Sequence, residues 1–440
     1  MLMEIVPVGG YEEVGRNMTL LRSGGDAIII DMGIRLDRVM IHGDTDISKL
    51  SQGELVKRGI IPDDSVVKNN VKAIIVSHGH LDHLGAVSIM ASKYGAPIIA
   101  APYAIELIKK ELSFRGKKKL RNPFHVLEQG ETVRISPEIS VEFVRSTHSI
   151  PQTSMVVVHT RDGKLVYAND FKLDDSPVIG RKPDYRRLKE LGQEGVKGLI
   201  VETTRINNEG RTPSERIAKH LLEENLLKVD DAKALVVTTF SSHIARVDSI
   251  VSLASIIDRT PVLLGRSMEK YVNIAEGLKI IDLPEDARLY GAPKPIKHAL
   301  NRVVKDGKEK YLLIVTGHQG EPDALLSRIA QKKLPFPISK EDQIVFSADV
   351  IPNPINVANR YALEEKLKMQ GARLFKGAHV SGHAAKEDHR DLLKMLQPEN
   401  IIPCHGDLRM LASYAELAEN EGYLLNRNLF LVRNGQRIEL

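Results

Sequence analysis

The sequence predicts an α/β protein in which sheets and helices form layers. Two observations support this prediction. Short apolar runs of strand length alternate with segments of helical spacing along the chain, and polar residues, histidines above all, follow many of the apolar runs directly. Because catalytic side chains of α/β proteins are often carried by strand ends and the loops after them, the second observation also indicates where a site would lie.

The first 208 residues predict a β-rich beginning and then strands interleaved with helices. Gly and Asp separate the first three apolar runs, which is typical of antiparallel strands joined by turns. The predicted strands are EIVPVGG, NMTLLRSG, DAIIIDMG, VKAIIVS, APIIAAP, ISVEFVRST, SMVVVHT, KLVYAND and KGLIVETT. Helical spacing is found in AVSIMASKYG and YAIELIKKEL, so these segments predict helices between strands.

The pattern changes near residue 205, where RTPSERIAKHLLEENLLK begins with a Thr-Pro-Ser helix start. Four apolar runs then alternate with helical segments, which is the βαβ rhythm of a parallel sheet: ALVVTTF, TPVLLG, KYLLIVT and DQIVFSA. From about 370, strand-like runs again end near histidines. We therefore expect one discontinuous domain made of residues 1–208 and 370–440, with residues 209–369 inserted as a second domain.

Composition excludes several classes of protein. The start lacks a basic segment followed by an apolar one, and no run of about 18 uncharged apolar residues occurs, so we expect a cytoplasmic protein that does not enter membranes. The single cysteine, Cys404, excludes internal disulfides and thiolate zinc sites. The net charge of +5 does not by itself demand a nucleic-acid partner, and the basic runs 109–121 and 181–189 are most often solvated surface.

The segment HGHLDH places His78, His80, Asp82 and His83 within six positions. Burying so many polar side chains without a metal or paired partners is costly, so the cluster favours a metal site over the alternative of an exposed cluster. Other His and Asp residues follow strand-like runs elsewhere, and sheet geometry could bring them to the same pocket. Imidazole nitrogens and carboxylate oxygens suit zinc at about 2.0–2.2 Å.

These motifs resemble a known family. HGHLDH, preceded by an apolar strand and followed by Gly85, resembles the HxHxDH motif of the metallo-β-lactamase fold. Longer stretches are similar to the β-CASP branch of that superfamily and in particular to the ribonuclease J family: GGYEEVGRNM, DMGIRLD, TGHQGEPDALLSRIA, HVSGHA and PCHGD. The resemblance covers the whole chain and implies an αββα sandwich with an inserted β-CASP α/β domain, of the compact archaeal type.

The resemblance implies two zinc ions, with Mn²⁺ or Mg²⁺ as alternative activating ions. The first zinc would be held by His78, His80 and His148, and the second by Asp82, His83 and His405, with Asp170 as the bridging ligand. Two divalent ions about 3.5–4 Å apart activate a shared water and neutralise charge on a phosphoryl oxygen, so a phosphodiester is a suitable substrate.

The resemblance also places the β-CASP marker residues. Glu202 matches the acidic marker that polarises an imidazole, and His383 matches the histidine expected to stabilise or protonate the leaving oxygen. With Asp82, these two residues are the expected catalytic groups. The third marker is His405, and relatives that act on DNA tend to carry valine there, so histidine favours RNA.

Two stretches, TTFSSHIARV and HVSGHA, predict a pocket for a terminal phosphate, since small residues and hydroxyls let donors approach phosphate oxygens. The candidate residues are Ser241, Ser242, His243, His379, Ser381, Gly382 and His383. Serines near a strand end are at least as often caps or turns, so that alternative stays open. The chain departs from the family pattern in SADVIPNPINVAN (347–359) and in having His318 where serine is commoner.

The resemblance therefore implies a zinc-dependent ribonuclease that degrades single-stranded RNA from 5′ to 3′, prefers 5′-monophosphate ends and also cuts internally. The resemblance adds a homodimer. Two alternatives are an RNA 3′-end-processing endonuclease of the polyadenylation-factor type and a non-catalytic RNA-binding β-CASP subunit. A thioester or lactam hydrolase on the same scaffold would not need the insert or the pair of Glu202 and His383.

Overall fold

The computed structural model describes residues 2–41, 49–68, 70–114, 120–352 and 354–440. The strands in these residues are β1 (Glu4–Gly9), β2 (Met18–Ser23), β3 (Asp26–Ile30), β4 (Val71–Val76), β5 (Ile98–Ala100), β6 (Phe124–Val126), β7 (Thr132–Arg134), β8 (Ile139–Arg145), β9 (Ser154–Thr160), β10 (Gly163–Ala168), β11 (Gly198–Glu202), β12 (Leu235–Thr238), β13 (Thr260–Leu264), β14 (Arg288–Tyr290), β15 (Tyr311–Val315), β16 (Gln343–Phe346), β17 (Arg373–Phe375), β18 (Ile401–Cys404) and β19 (Ile438–Glu439).

The helices are α1 (Leu36–Ile41), α2 (Gln52–Lys57), α3 (Leu81–Leu84), α4 (Val87–Met90), α5 (Pro102–Phe114), α6 (Tyr185–Glu194), α7 (Glu215–Leu226), α8 (Ile244–Ile256), α9 (Arg266–Gly277), α10 (Pro293–Asp306), α11 (Leu325–Ala330), α12 (Pro354–Met369), α13 (Lys386–Leu396) and α14 (Leu408–Asn420). Among the described residues, no helix combines the length and the apolar character that a membrane crossing requires.

The chain divides into two compact units. Unit 1 contains Met1–Asp175, Arg181–Thr212 and Gly382–Leu440, and unit 2 contains Ser176–Gly180 and Pro213–Ser381. Unit 1 is thus built from the two ends of the chain. The boundaries predicted near 208 and 370 stay a prediction.

Unit 1 contains two sheets. The first has the strand order β19-β1-β2-β3-β4-β5-β6, and the second has the order β18-β11-β10-β9-β8-β7. As predicted, β1, β2 and β3 are antiparallel neighbours, whereas β3 and β4 run parallel. In the second sheet β9 is antiparallel to both β8 and β10, and β10, β11 and β18 are parallel.

Alternating side chains of the second sheet enter two separate cores. On β9, Val156 and Val158 pack with residues of the first sheet, such as Ile28 and Ile75. Their neighbours Met155 and Val157 face the opposite side, in a core shared with α6, α13 and α14. Because successive strand residues point to opposite faces, this run of apolar residues predicts a strand buried on both sides. The sheets therefore pack against each other with helices outside them, which confirms the predicted sandwich.

Unit 2 has one sheet, with the order β14-β13-β15-β12-β16-β17, and all of its pairs are parallel. Its strands are buried apolar runs, as on β15, where Tyr311 to Val315 are all buried. Such strands need helices on both faces. The prediction of an α/β unit with a parallel sheet is confirmed.

A buried ion pair joins the second sheet to α6. Glu142 on β8 accepts hydrogen bonds from Arg187 of α6 at 2.6 and 3.1 Å, and its carboxylate lies 2.8 Å from His159 on β9. Burial opposes ionisation of Glu142, but its hydrogen bonds with His159 and Arg187 outweigh burial and lower its pKa to about 2.

We predict that Glu142→Gln lowers the free energy of unfolding of unit 1 by about 2 kcal/mol at pH 7. Because the folded pKa is depressed, the wild-type advantage is complete above about pH 4.5, the usual pKa of glutamate, and is lost as the pH falls toward 2. Denaturant unfolding at pH 7, 5 and 4 measures this.

The matched control is Glu190→Gln, which removes a partly exposed partner of Arg187 at 3.4 Å and should cost less than about 1 kcal/mol. A stability gap for Glu142→Gln that is the same at pH 7 and pH 4 would contradict the assignment.

Candidate metal centre

The candidate site lies at one edge of each sheet in unit 1. Because β8, β10, β11 and β18 point the same way, their carboxyl ends share an edge, and these ends carry or precede His148, Asp170, Glu202 and His405. The loop with His78 follows β4 in the first sheet. Two packed sheets therefore bring together residues that are more than 300 positions apart in the sequence.

One group of possible ligands consists of His78, His80, His148 and Asp170, whose ligand atoms all lie within 4.8 Å of one another. His80 Nδ1 lies 3.2 Å from His78 Nε2 and 3.0 Å from His148 Nε2. Asp170 Oδ2 lies 3.4 Å from the Nε2 atoms of both His78 and His148.

A second group consists of Asp82, His83, Asp170 and His405. Asp170 Oδ2 lies 3.3 Å from His83 Nε2, and Asp170 Oδ1 lies 3.4 Å from His405 Nε2. Asp82 Oδ2 lies 3.6 Å from His405 Nε2 and 3.8 Å from His83 Nε2. Asp170 therefore belongs to both groups. Its Oδ2 lies near His83, and its Oδ1 lies near His405.

Hydrogen bonds fix which ring nitrogens face the centre. His148 Nδ1–H donates to the carbonyl of Gly382 (2.7 Å), and His83 Nδ1–H donates to Asp31 (2.8 Å), so Nε2 of both rings faces the centre. His78 Nδ1–H donates to Ser77 Oγ (3.0 Å), whose own proton goes to Asp31 (2.9 Å). This is the arrangement in which outer partners orient metal-ligating histidines.

The residues fit divalent metal ions. Donors of a tetrahedral zinc site lie about 3.3 Å apart when each is about 2.0–2.1 Å from the metal, and the four distances given above for the first group are 3.0–3.4 Å. Within the part of the chain that the structure describes, the buried Oδ1 of Asp170 has no hydrogen-bond donor. A buried carboxylate oxygen without a donor is costly, and a cation would satisfy it.

The charges of the centre also suit cations. Burial lowers the pKa of His80 and His148 well below the usual value, so both rings are neutral, the form that binds metals. Burial opposes ionisation of Asp170, but the charges of His405 and His83 outweigh it and hold the pKa of Asp170 well below its usual range. Asp170 therefore remains a carboxylate despite its burial.

Asp31 and Asn17 orient the ligands and were not predicted as site residues. Asp31 is fully buried and accepts bonds from Ser77 N–H (2.8 Å), Ser77 Oγ, His83 and the Tyr167 hydroxyl (3.0 Å). Its position directly after the apolar residues AIII, at the start of DMGIRLD, is the one sequence feature that could have indicated it.

Asn17 joins Asp82, His83 and His405. Its Nδ2 donates to the Asp82 carbonyl (3.2 Å) and lies 3.1 Å from His83 Nε2, so its oxygen is the atom that lies 3.0 Å from His405 Nδ1. The oxygen can only accept, which places the His405 proton on Nδ1 and leaves Nε2 for the centre. The Gly15 N–H also approaches Nδ1, at 3.3 Å, but the shorter bond decides the tautomer.

Glu202 and His383 form a pair at the edge of the centre. His383 Nδ1 lies 2.8 Å from Glu202 Oε2 and 3.9 Å from Asp170 Oδ1, and its side chain is 26% exposed. The other oxygen of Glu202 accepts from Phe171 N–H (3.0 Å), the residue after Asp170. Burial opposes the charged form of His383, but Glu202 and Asp170 outweigh it and raise the pKa of His383 to about 9.

The candidate phosphate residues are divided between the units. Ser241, Ser242 and His243 follow β12, and His379 and Ser381 follow β17, all in unit 2, whereas Gly382 and His383 belong to unit 1. Ser241 and Ser242 are partly exposed and His243 is buried. Their role in phosphate binding stays a prediction.

Of the two basic runs, residues 115–119 within 109–121 lie outside the described residues. In the run 181–189, Arg187 is engaged by Glu142 and Glu194. Arg187 therefore forms ion pairs within unit 1.

Comparisons with known proteins agree with this fold. Models of three families match the chain: the metallo-beta-lactamase superfamily over residues 11–186, the ribonuclease J beta-CASP domain over 232–362, and the Zn-dependent metallo-hydrolase RNA specificity domain over 371–428. A crystal structure of a protein of unknown function from Enterococcus faecalis V583 aligns over 100% of both chains with a TM-score of 0.68 and 17% identity, a likeness of fold alone.

Curated relatives are similar over the full length. Ribonuclease J of Methanocaldococcus jannaschii is 57% identical, covering 99% of this chain and 98% of the relative. Ribonuclease J of Pyrococcus abyssi is 50% identical, covering 100% and 97%. Ribonuclease J of Synechocystis is 32% identical and covers 100% of this chain but 66% of the relative.

The sandwich and its cluster of histidines and aspartates define a hydrolase of the metallo-β-lactamase superfamily with a candidate metal-binding site. The parallel-sheet unit and the relatives narrow this class to the nucleases with a β-CASP domain. The chain belongs to the ribonuclease J family.

We predict that Asn17→Ala weakens metal binding about 10–100-fold, because it removes the hydrogen bonds that orient the His405 ring and the Asp82 carbonyl. Metal content after dialysis against a weak chelator, measured by plasma emission spectrometry, should fall relative to wild type.

The control is Asn122→Ala, since Asn122 is also buried but its amide donates to the carbonyls of Ala91 and Ala96. It should retain wild-type metal content even where it lowers stability. Equal metal content in both variants would argue against the role given to Asn17.

Proposed function

We propose that the protein is a zinc-dependent ribonuclease that degrades single-stranded RNA from the 5′ end, prefers 5′-monophosphate ends and also makes internal cuts. The observation that carries this proposal is one sheet edge where two possible ligand groups share Asp170 and meet the pair of Glu202 and His383. The name and the full-length identity of the relatives support RNA as the substrate.

His78, His80 and His148 would hold one zinc ion and Asp82, His83 and His405 the second, with Asp170 between them. Such a pair of ions, when bound, supplies an activated water and neutralises charge on the phosphodiester. Mn²⁺ or Mg²⁺ could substitute as the activating ion. The hydrogen bonds at Nδ1 of His83, His148 and His405 mean that no ring has to turn to accept an ion.

His383 is suited to protonate the leaving oxygen. Its raised pKa, about 9, keeps it protonated at neutral pH, and Glu202 holds its Nδ1 so that the ring orientation is fixed. Glu202 in turn is kept ionised, because the charge of His383 outweighs the burial that would raise the pKa of Glu202. The two residues therefore act as a general acid and the carboxylate that supports it.

The remaining parts of the proposal concern the setting. A homodimer and a cytoplasmic location follow from the family resemblance and the composition, and both stay predictions. The pocket for the 5′ phosphate would use the residues after β12 and β17.

A single-stranded RNA with a labelled 5′-monophosphate tests the direction of cleavage. We expect labelled mononucleotide as the first product, with slower release from the same RNA bearing a 5′-hydroxyl or 5′-triphosphate. Labelled fragments of many lengths at early times would instead indicate an endonuclease of the 3′-end-processing kind.

Two variants separate metal binding from proton transfer. His383→Ala should reduce kcat about 10²–10⁴-fold with metal content unchanged, because only the general acid is removed. Asp82→Ala should abolish cleavage and also lower metal content, while both variants keep RNA affinity near that of the wild type.

Asp63→Asn, an exposed aspartate of unit 1, is the control and should behave as wild type in all three measurements. Cleavage by Asp82→Ala at the wild-type rate would refute the two-ion assignment.

A further inference from the structure

Arg246 is an arginine in the first turn of α8 and belongs to the stretch TTFSSHIARV. It is the largest fully buried side chain among the described residues. A buried guanidinium is costly unless every donor is paired, so its partners indicate what it holds in place.

Each N–H group of the guanidinium has an acceptor in unit 2. Nε and Nη2 donate to the two oxygens of Glu215 at 2.6 and 2.9 Å, a bidentate pair. Nη1 donates to Ser347 O (2.8 Å), Ser347 Oγ (2.9 Å) and Ala378 O (3.1 Å), and Nη2 also reaches Val380 O (3.4 Å). Arg246 therefore has no N–H group left with which to bind a phosphate itself.

Arg246 and its partners Ser347, Ala378 and Val380 lie beyond the carboxyl ends of three neighbouring strands. α8 follows β12, Ser347 follows β16, and residues 378–381 follow β17, and the sheet order places β16 between the other two. The carboxyl edge of a parallel sheet is where α/β proteins bind ligands. One side chain thus connects the two loops that carry the candidate phosphate residues.

The bonds to Ala378 and Val380 also set the direction of backbone N–H groups. A trans peptide is planar, with its N–H opposite its carbonyl oxygen. When Arg246 holds the oxygens of Ala378 and Val380, the N–H groups of His379 and Ser381 must point away from the guanidinium. Neighbouring backbone N–H groups that point the same way form anion-binding sites.

Glu215 extends the arrangement to His243. His243 Nδ1 accepts the backbone N–H of Arg246 (3.3 Å), so its proton is on Nε2, 3.4 Å from Glu215 Oε2. Glu215 thereby neutralises Arg246 and holds the loop after Ser242 at the same time. Both candidate phosphate loops depend on this one ion pair.

We propose that Arg246 is the positioning residue for the 5′-phosphate pocket: it sets the preference for 5′-monophosphate RNA by orienting the N–H groups of His379 and Ser381, without contacting the phosphate. This inference rests on the proposed function, since it assumes selection of 5′-monophosphate ends. Lysine could not replace arginine here, because a single ammonium group cannot reach Glu215 and three carbonyls in one plane.

The test compares kcat/KM for one RNA with a 5′-monophosphate or a 5′-hydroxyl end. Arg246→Lys should lower the ratio of the two values about tenfold or more, mainly through the KM of the monophosphate substrate, with little change for the 5′-hydroxyl RNA. Calorimetric affinity for adenosine 5′-monophosphate should fall by a similar factor, while adenosine binding stays unchanged.

Arg259→Lys is the matched control. Arg259 is also buried in unit 2 and donates to backbone carbonyls, those of Lys233, Asp230 and Asp231. If arginine burial mattered only for stability, both variants would lower the melting temperature and leave the ratio alone. We expect the ratio to change in Arg246→Lys only.

Ser347→Ala keeps the inference testable if Arg246→Lys does not fold. It removes the hydroxyl that accepts from Arg246 and donates to Ala378 O (2.8 Å), and it should lower the ratio about threefold. If the wild type prefers 5′-monophosphate RNA and the folded variants keep its kcat/KM ratio, this inference is overturned and the proposed function is not. A wild type without that preference would refute the proposed end selection and the inference together.

Discussion

The buried carboxylate of Asp170 is the constraint on which the site depends. An ionised group without water must be compensated by nearby donors or charges, and Asp170 is surrounded by the imidazoles of His78, His83, His148 and His405. Two further carboxylates are buried nearby: Asp31 accepts a hydrogen bond from His83, and Glu202 pairs with His383. These carboxylates suit divalent cations, which would also offset their repulsion of a phosphate group.

The backbone is strained at three positions of this site. Asp31, Asp170 and His405 all have positive φ values, 61°, 58° and 50°, although none of them is glycine. Such conformations are uncommon outside glycine and cost of order 1–3 kcal/mol each. Asp31 and His405 lie directly after β3 and β18, and Asp170 lies two residues after the end of β10. The backbone is also crowded at Gly33, where an added Cβ would lie 1.5 Å from the Asp82 carbonyl oxygen.

The two units use the same physical solution for different tasks. In unit 1, Asp31 connects loops after β3 and β4 through Ser77 and His83. In unit 2, Arg246 connects loops after β12, β16 and β17. In each case one buried charged residue, with all its hydrogen bonds made, fixes several loops at a sheet edge. A buried network of this kind is costly when incomplete, so it favours a single arrangement of the loops that carry function.

The sequence alone determined the α/β class, the longer strands and the local cluster HGHLDH, because apolar periodicity and residue spacing are local properties; the short strands β6, β7, β14 and β19 were not predicted. The resemblance then added His148, Asp170, Glu202, His383 and His405, which the structure brings to one edge, although nothing in their own neighbourhoods distinguishes them from His159, which pairs with Glu142.

Only the tertiary structure decided which residues orient these side chains. Asn17 reaches His405 across 388 positions, and Arg246 reaches Ala378 across 132. Such contacts depend on strand order and on the packing of sheets, and a ring's tautomer depends on which oxygen lies beside it. Neither property is encoded by the residues on either side of the position in question.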